Sequence, residues 1–413
     1  MALVKPFPCI RPRQDLAHRI AALPYDVYNR QEAKEETLRE PYSFLKIDRA
    51  ETQLPNEVDI YDPKVYEKAK ELLDEMISNE SFITDTEECY YIYQLIMQER
   101  SQTGIVACTS IDDYQNNVIM KHEKTREDKE IDRIKHVDIC NAQTGPIFLA
   151  YRSHKKIDQV ISEVTREEPI YDFISRDQVT HRVWRIADKE KVNVIQMAFA
   201  EIYRIYIADG HHRAASAVKV GLKRRQENPG YTGKEEFNYF LSVLFPHDQL
   251  RILPYNRAVK DLNGLTKDQF LEKIQMNFSV HHHGTDCYNP VKKGTYGMYL
   301  DGTWYALEAK PKLKAIQDPV KSLDVSLLQD YLLHPILGIE DPRTDNRIDF
   351  IGGIRGTKEL ERRVKTDMAV AFSMYPTSIN ELFAVSDHGM LMPPKSTWFE
   401  PKLRSGLFIH KLT

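Results

Sequence analysis

The sequence predicts an α/β or α+β fold, and three observations lead to that prediction. Tyr203–Ala208 is rich in β-branched and aromatic residues, as expected of a buried strand. The segment after it, Ala214–Gly221, repeats small and apolar residues at helical spacing. Phe237–Phe245 is a continuous apolar and aromatic run of the kind found in central strands. Strands that alternate with helices in this way are typical of the α/β and α+β classes.

Further elements follow from periodicity and turn chemistry. A helix is predicted from Val65 after the start signal Asp62-Pro63, and Asp301-Gly302 predicts a hairpin turn within Thr295–Leu307. Leu23–Val27 (LPYDV) is interpreted as a proline turn with an architectural role. The remaining predicted strands are Glu88–Gln98, Gly104–Ile111, Pro146–Tyr151 and Val179–Ile186, and the remaining predicted helices are Ile157–Val164, Thr266–Met276, Leu323–Leu337 and Leu360–Phe372.

Length and composition limit the class of protein. A chain of 413 residues exceeds the usual size of one hydrophobic core, so three regions are predicted: 1–115, 116–260 and 261–413. The 42% hydrophobic and 29% charged residues are typical of a soluble globular protein. No apolar run is long enough for a membrane span or a signal peptide, so we expect a cytoplasmic protein without a membrane partner. The net charge of −4 argues against nucleic-acid binding, and the five scattered cysteines indicate neither disulfides nor a zinc site.

A first polar cluster, Ala208–Arg213 (ADGHHR), lies between the predicted strand and the predicted helix. A chain that turns at glycine into a helix directs free backbone N–H groups and the positive end of the helix dipole at whatever lies above the turn. The cluster therefore predicts an anion site, with Gly210 at the turn. The alternative is that Asp209 serves only as an N-cap and the histidines only complete hydrogen bonds.

A second polar cluster is Lys121–Thr125 (KHEKT), which follows a strand-like segment. Nearby cations favour the ionised form of Glu123, and an ionised carboxylate beside a phosphate can accept a hydroxyl proton. The alternative is a solvated charge run that opens a helix. On that helix Ile131, Ile134 and Val137 would face inward.

A third polar cluster is Met392–Phe399 (MPPKSTWF), where two prolines stiffen the chain before Lys395, Ser396 and Thr397. Ammonium and hydroxyl donors of this kind hold phosphate or ribose oxygens. The alternative is a surface loop whose polar residues are incidental. Metal binding by His281-His282-His283 is disfavoured, because successive strand residues point to opposite faces.

These motifs resemble two sets of known proteins. The full chain is similar to a large prokaryotic family of unknown function that is marked by PYDV, ADGHHR and MPPKSTWF, here Pro24–Val27, Ala208–Arg213 and Met392–Phe399. The order KHE, DGHHR and PKST also resembles that of the free L-serine kinases in the ParB/sulfiredoxin-like superfamily. The resemblance implies a ParB/sulfiredoxin-like nucleotide-binding core at 116–260, with additional α/β lobes on either side.

The resemblance also implies an activity and its residues. The reaction would be transfer of a phosphoryl group from ATP or ADP to the hydroxyl of free L-serine or a similar hydroxy amino acid. Mg²⁺ would be held largely by the nucleotide phosphates, with Asp209 as a weak protein contact. Glu123 would be the general base. The implied catalytic residues are Glu123, His122, Asp209 and His211. The implied phosphate- and nucleotide-binding residues are Gly210, His212 and Arg213 at the turn and Lys395, Ser396 and Thr397 on a closing loop. The implied substrate-binding residues are Lys121 and Lys124.

Other activities remain open from the sequence. The chain has no GxxxxGK[ST] loop and no HRD or DFG signature, which excludes the conventional kinase folds. KHE begins only at Lys121, whereas simpler kinases of the superfamily reach it early, so the donor and the acceptor are undetermined. One alternative is a ParB-like switch or interaction protein that binds or hydrolyses nucleotide. Another is a metal-dependent hydrolase that uses Asp209, His211 and His212.

Overall fold

The computed structural model describes residues 1–413, and by compactness they form two units. Unit 1 comprises Met1–Leu250 together with Pro401–Thr413, and unit 2 comprises Arg251–Glu400. One sheet of unit 1 takes strands from both sides of residue 115. The three regions 1–115, 116–260 and 261–413 remain a prediction about domains.

The chain contains 21 strands and 14 α-helices, so the predicted α/β (α+β) class is confirmed. The strands are β1 (Val4–Lys5), β2 (Ile10–Pro12), β3 (Phe82–Thr84), β4 (Tyr90–Met97), β5 (Arg100–Ser110), β6 (Ile119–Met120), β7 (Ala142–Gln143), β8 (Ile147–Tyr151), β9 (Tyr171–Ile174), β10 (Thr180–Ile186), β11 (Ile205–Asp209), β12 (Tyr239–Pro246), β13 (Ile252–Leu253), β14 (Tyr255–Val259), β15 (Phe278–Gly284), β16 (Thr295–Leu300), β17 (Thr303–Ala309), β18 (Ile348–Gly352), β19 (Val370–Met374), β20 (Trp398–Phe399) and β21 (His410–Lys411). The helices are α1 (Ala17–Ile20), α2 (Arg30–Arg39), α3 (Leu45–Asp48), α4 (Pro63–Ser78), α5 (Ile111–Gln115), α6 (Glu127–Cys140), α7 (Lys155–Val164), α8 (Lys189–Ala200), α9 (His211–Glu227), α10 (Lys267–Ile274), α11 (Pro311–Lys314), α12 (Asp324–Leu328), α13 (Thr357–Thr366) and α14 (Ile379–Asp387).

Unit 1 is built on a mixed sheet of nine strands in the order β6-β11-β8-β12-β5-β4-β10-β9, with β1 also paired to β5. The pairs β6/β11 and β8/β12 are parallel, and the other pairs are antiparallel. β12, which was predicted as a central strand, lies between β8 and β5 and is buried along its whole length. A continuous apolar run is stable in that position because both faces of the strand are covered.

Helix α6 differs from the inward-facing pattern proposed for Ile131, Ile134 and Val137. Ile131 is 45% exposed, while Ile134 and Val137 are only partly buried, against a small cluster of Val220, Phe237 and Leu412. The buried face carries Glu130, Asp132, Arg133, His136 and Cys140 instead. The expectation for Ile131 was wrong because charged groups are tolerated inside when ion pairs and hydrogen bonds satisfy them.

Unit 2 is built on an antiparallel sheet of six strands in the order β15-β17-β16-β19-β14-β18. The hairpin predicted at Asp301-Gly302 is present, and both turn residues have positive φ, 48° and 77°. The helix predicted over Leu360–Phe372 is partly wrong. It ends at Thr366, and Val370–Met374 forms β19 between β16 and β14. The apolar residues of this segment have helical spacing, but they form a strand because a strand in this position is buried between two others. No helix in either unit is long and apolar enough to cross a bilayer.

A buried carboxyl in unit 2 makes stability depend on pH. Asp324 is 6% exposed, and its two carboxyl oxygens accept the Gly294 N–H at 2.9 and 3.0 Å. Burial raises the pKa of Asp324 from 3.8 to about 7, and the nearby Glu381 acts in the same direction. A carboxyl whose pKa is higher in the folded state stabilises the fold at low pH. That contribution is lost as pH rises from about 4 through about 7.

We predict that Asp324→Asn removes this pH dependence, because the amide still accepts the Gly294 N–H but carries no charge. In the wild-type protein the free energy of unfolding should fall by roughly 2–4 kcal/mol between pH 4 and pH 8 from this group. Thermal unfolding followed across that range measures the slope. Asp301→Asn is the matched control, since its side chain is 75% exposed. Equal slopes in the wild-type protein and Asp324→Asn would contradict the assignment.

Candidate functional site

The candidate site lies where β6 and β11 end. These strands are parallel neighbours, with Ile119 opposite Ile205 and Met120 opposite Tyr206. Because parallel strands end at the same edge of a sheet, the residues that follow them meet there. The sheet therefore brings KHE at Lys121–Glu123 beside the turn at Asp209–Arg213.

The turn leaves the start of α9 without a side-chain cap. Gly210 is the N-cap residue, with φ 92° and ψ 32°, a conformation that favours glycine. The Asp209 carboxylate accepts the Gly210 N–H at 2.8 Å and does not cap the first turn of the helix. A Cβ at Gly210 would lie only 3.1 Å from Nε and Nη2 of Arg213. The first-turn N–H groups of α9 thus have no acceptor within the helix, as an anion site requires.

Asp209 is held by a lysine that sequence reasoning missed. The Lys402 Nζ donates to Asp209 Oδ2 at 2.8 Å, and the two side chains are 16% and 32% exposed. Burial disfavours ionisation of Asp209, but Lys402 and Arg213 outweigh it and hold the pKa of this carboxyl well below its usual range. Asp209 is therefore a fixed negative charge. Lys402 carried no sequence signal, because it lies near the C-terminus outside any motif.

Two buried histidines stand side by side at this edge. The rings of His122 and His211 meet edge to face with centroids 4.4 Å apart, and the residues are 2% and 5% exposed. Burial lowers the pKa of His122 to about 4 and also lowers that of His211, which the neighbouring imidazole lowers further. Both rings are therefore neutral at pH 7. His122 Nδ1 and His211 Nε2 have no hydrogen-bond partner in the protein.

Glu123 stands at the accessible side of this pair. Its Oε2 lies 3.7 Å from Nδ1 of His211, and its side chain is 41% exposed. Glu123 is the more exposed of the two carboxylates at the turn, at 41% against 32% for Asp209. The catalytic role of Glu123 stays a prediction.

The remaining predicted residues of unit 1 have defined contacts. His212 Nε2 accepts the Arg126 N–H at 3.0 Å, and Arg213 Nη1 donates to the Pro146 carbonyl at 2.6 Å. Lys121 Nζ donates to the Tyr114 carbonyl at 3.0 Å and lies 4.1 Å from the centre of that ring. Lys124 is exposed. The substrate-binding role of the two lysines stays a prediction.

The residues of the predicted closing loop lie in unit 2. Lys395 is exposed and has φ 56°, and its Nζ lies 5.6 Å from the Tyr255 ring centre. The Ser396 hydroxyl donates to the Pro393 carbonyl at 2.7 Å, and the Ser396 carbonyl accepts the Thr377 hydroxyl at 3.0 Å. The Ser396 hydroxyl therefore shapes its own loop. The phosphate-binding role of Lys395, Ser396 and Thr397 stays a prediction.

No group of three His, Cys, Asp or Glu side chains is arranged to hold a metal ion. The weak contact of Asp209 with a nucleotide-bound Mg²⁺ stays a prediction.

We predict that Lys402→Met destabilises the protein by roughly 1–3 kcal/mol at neutral pH, because it leaves the Asp209 carboxylate without its cation. The difference should shrink below about pH 4, where Asp209 becomes protonated in the unfolded chain. Denaturant unfolding at both pH values measures it. Lys411→Met is the control, since its Nζ lies 3.8 Å from Asp74 in a partly exposed pair worth about 0–1 kcal/mol. Equal losses in the two variants would contradict the assignment.

Comparison with solved structures finds distant likenesses. A free serine kinase in complex with AMP matches 74% of this chain and 92% of its own chain, at 14% identity and TM-score 0.34. A variant of free serine kinase in complex with ADP matches 76% of this chain and 95% of its own, at 12% identity and TM-score 0.36. SbnI from Staphylococcus aureus, with a C-terminal truncation, matches 74% of this chain and 87% of its own, at 13% identity and TM-score 0.39.

Comparison with curated proteins finds no match. A family model does match, and it spans residues 4–326, which is most of the chain. This confirms the resemblance to the family. The matched residues include Pro24–Val27 and Ala208–Arg213, whereas Met392–Phe399 lies beyond them. The chain belongs to the family described as "Protein of unknown function (DUF1015)".

Proposed function

We propose that the protein is a small-molecule kinase that transfers a phosphoryl group from ATP or ADP to the hydroxyl of free L-serine or a similar hydroxy amino acid. The observation that carries the proposal is the meeting of a partly exposed carboxylate, Glu123, with the uncapped N-terminus of α9 at one sheet edge. To catalyse phosphoryl transfer, a protein mainly has to position the reactants, stabilise the charge on the phosphates and place a base within reach of the nucleophile.

The uncapped start of α9 supports a phosphate site. Its first backbone N–H groups and the positive end of its dipole favour an anion. Arg213 adds a guanidinium that forms one hydrogen bond, to Pro146, and no ion pair, so its other N–H groups are available to phosphate oxygens. His122 and His211 are neutral and Lys402 is paired with Asp209, so the positive side chain at the turn is Arg213.

Glu123 is the proposed general base. In this step the acceptor hydroxyl gives its proton to a carboxylate oxygen of Glu123. The hydroxyl oxygen bonds to the terminal phosphorus, and the bond from that phosphorus to the nucleotide breaks. Asp209 is unsuited to this role because Lys402 and the Gly210 N–H already use its oxygens. Mg²⁺, when bound with the nucleotide, supplies further charge neutralisation.

The buried histidines and the late loop have supporting roles in the proposal. His122 Nδ1 and His211 Nε2 lack partners in the protein, and a buried polar atom without one costs about 1–3 kcal/mol. A bound substrate that supplies those partners would recover this cost. The phosphate-binding role of Lys395, Ser396 and Thr397 is part of the proposal because their loop resembles that of the free L-serine kinases.

We predict that the full chain, incubated with L-serine, Mg²⁺ and ATP or ADP, forms O-phosphoserine. Glu123→Gln should reduce the rate by about 10²–10⁴-fold, the usual contribution of a general base, and should leave nucleotide affinity within about twofold. Product analysis by mass spectrometry measures transfer, and calorimetry measures nucleotide binding.

Glu127→Gln is the matched control, because Glu127 is an exposed glutamate in the first turn of α6. It should retain wild-type turnover. A wild-type rate in Glu123→Gln would remove Glu123 from the base role, and the absence of O-phosphoserine with both donors would overturn the serine kinase.

A further inference from the structure

A polar cavity lies in unit 1 beside Arg213. Its polar wall includes Tyr25, Asp48, Arg133, Thr144, Arg213 and Ser405. Its volume, counted as the space that the centres of water molecules can occupy, is about 30 Å³. One water needs about 10–15 Å³ on that measure, so about two or three waters fit, or a group of similar size such as an amino-acid backbone.

Two guanidinium groups form the positive part of the wall. Arg133 is 7% exposed, its Nε donates to Asp132 at 2.9 Å, and it lies 4.0 Å from the ring centre of Tyr25. Its Nη2 also lies 2.9 Å from Asp132 Oδ2, and Nη1 takes no part in that pair. Arg213 donates only to the Pro146 carbonyl and forms no ion pair. Both guanidinium groups therefore have donors that remain available to a carboxylate.

The negative part of the wall is Asp48, which is 5% exposed. Its Oδ1 accepts the Thr144 hydroxyl at 2.9 Å, and its Oδ2 takes no part in that bond. The side chains of Tyr25 and Ser405 also line the cavity. The cavity thus offers an available acceptor beside available donors.

The charged side chains of the cavity wall balance one another, and this balance determines which kind of ligand the cavity can bind. The two arginines are matched by Asp48 and by Asp132 behind Arg133. A lone anion or a lone cation would leave one buried charge unmatched, and an unmatched buried charge is costly. A zwitterion brings one charge of each sign. Its carboxylate matches the planar donor fork of arginine, and its ammonium matches a carboxylate.

We propose that this cavity binds the α-carboxylate and α-ammonium groups of a free amino acid. Arg133, Arg213 and the Tyr25 hydroxyl hold the carboxylate, and Asp48 holds the ammonium. The assignment of that amino acid as the phosphoryl acceptor rests on the proposed function. Arg213 connects the two sites, since its guanidinium lines the cavity and also lies against Gly210 at the phosphate turn.

The test is calorimetry on the full chain, without and with AMP, using compounds that remove one charged group at a time. L-Serine and glycine should both bind, because the cavity contacts the backbone groups they share. L-Lactate lacks the ammonium and ethanolamine lacks the carboxylate, so each should bind at least tenfold more weakly. Lactate binding as tightly as L-serine would overturn the proposal in favour of a plain anion site. No binding of L-serine under either condition would also overturn it.

Two conservative variants locate the binding. Asp48→Asn keeps an acceptor for Thr144 and removes the charge, and Tyr25→Phe removes only a hydroxyl. Each should weaken L-serine binding at least fivefold and leave AMP affinity unchanged. Tyr90→Phe is the control, because its hydroxyl donates to the Val4 carbonyl away from the cavity. Wild-type serine affinity in both cavity variants would overturn the assignment.

The outcomes separate this proposal from the proposed function. L-Serine binding that depends on Asp48 and Tyr25, in a protein that forms no O-phosphoserine, supports the cavity and rejects the kinase. O-Phosphoserine formation with an unchanged KM for serine in both variants supports the kinase and rejects the cavity.

Discussion

The parallel pairing of β6 with β11 is the contact on which the candidate site depends. It spans only two residue pairs, yet it places the ends of two strands at one edge of the sheet. Without it, KHE and the glycine turn would have no reason to meet, since Glu123 and Ala208 are 85 positions apart in the chain. β6 is the edge strand of the sheet and pairs on one side only, with β11. The helices that follow these two strands, α6 and α9, pack against each other.

The candidate site also depends on the C-terminal segment Pro401–Thr413, which packs in unit 1. This segment belongs to unit 1 although Arg251–Glu400 separates it from the rest in sequence. It is fixed by β21 on β7 and by a network in which Arg404, 3% exposed, bonds to Asp177 and Ser175. That anchoring presents Lys402 to Asp209. Formation of the turn is thus linked to docking of the C-terminal segment.

Sequence reasoning succeeded where the signal was local. The strand before Gly210, the helix after it and the hairpin at Asp301-Gly302 are set by turn chemistry and apolar spacing, and all are present. It failed where tertiary burial decides. Ile131 faces solvent while Arg133 is buried, because α6 satisfies charges inside the unit. Lys402 and the cavity wall were missed for a related reason: single residues from distant segments carry no pattern until the fold brings them together.

The electrostatics of the turn explain why its motif needs both arginine and glycine. With His122 and His211 buried as neutral rings, imidazole cannot supply the positive charge near pH 7. Lys402 is already committed to Asp209, so that pair adds little net charge. Arg213 lies against the turn, where a Cβ at Gly210 would come within 3.1 Å of its guanidinium. Gly210 also has a φ of 92°, which favours glycine. The motif therefore places a guanidinium beside the uncapped start of α9.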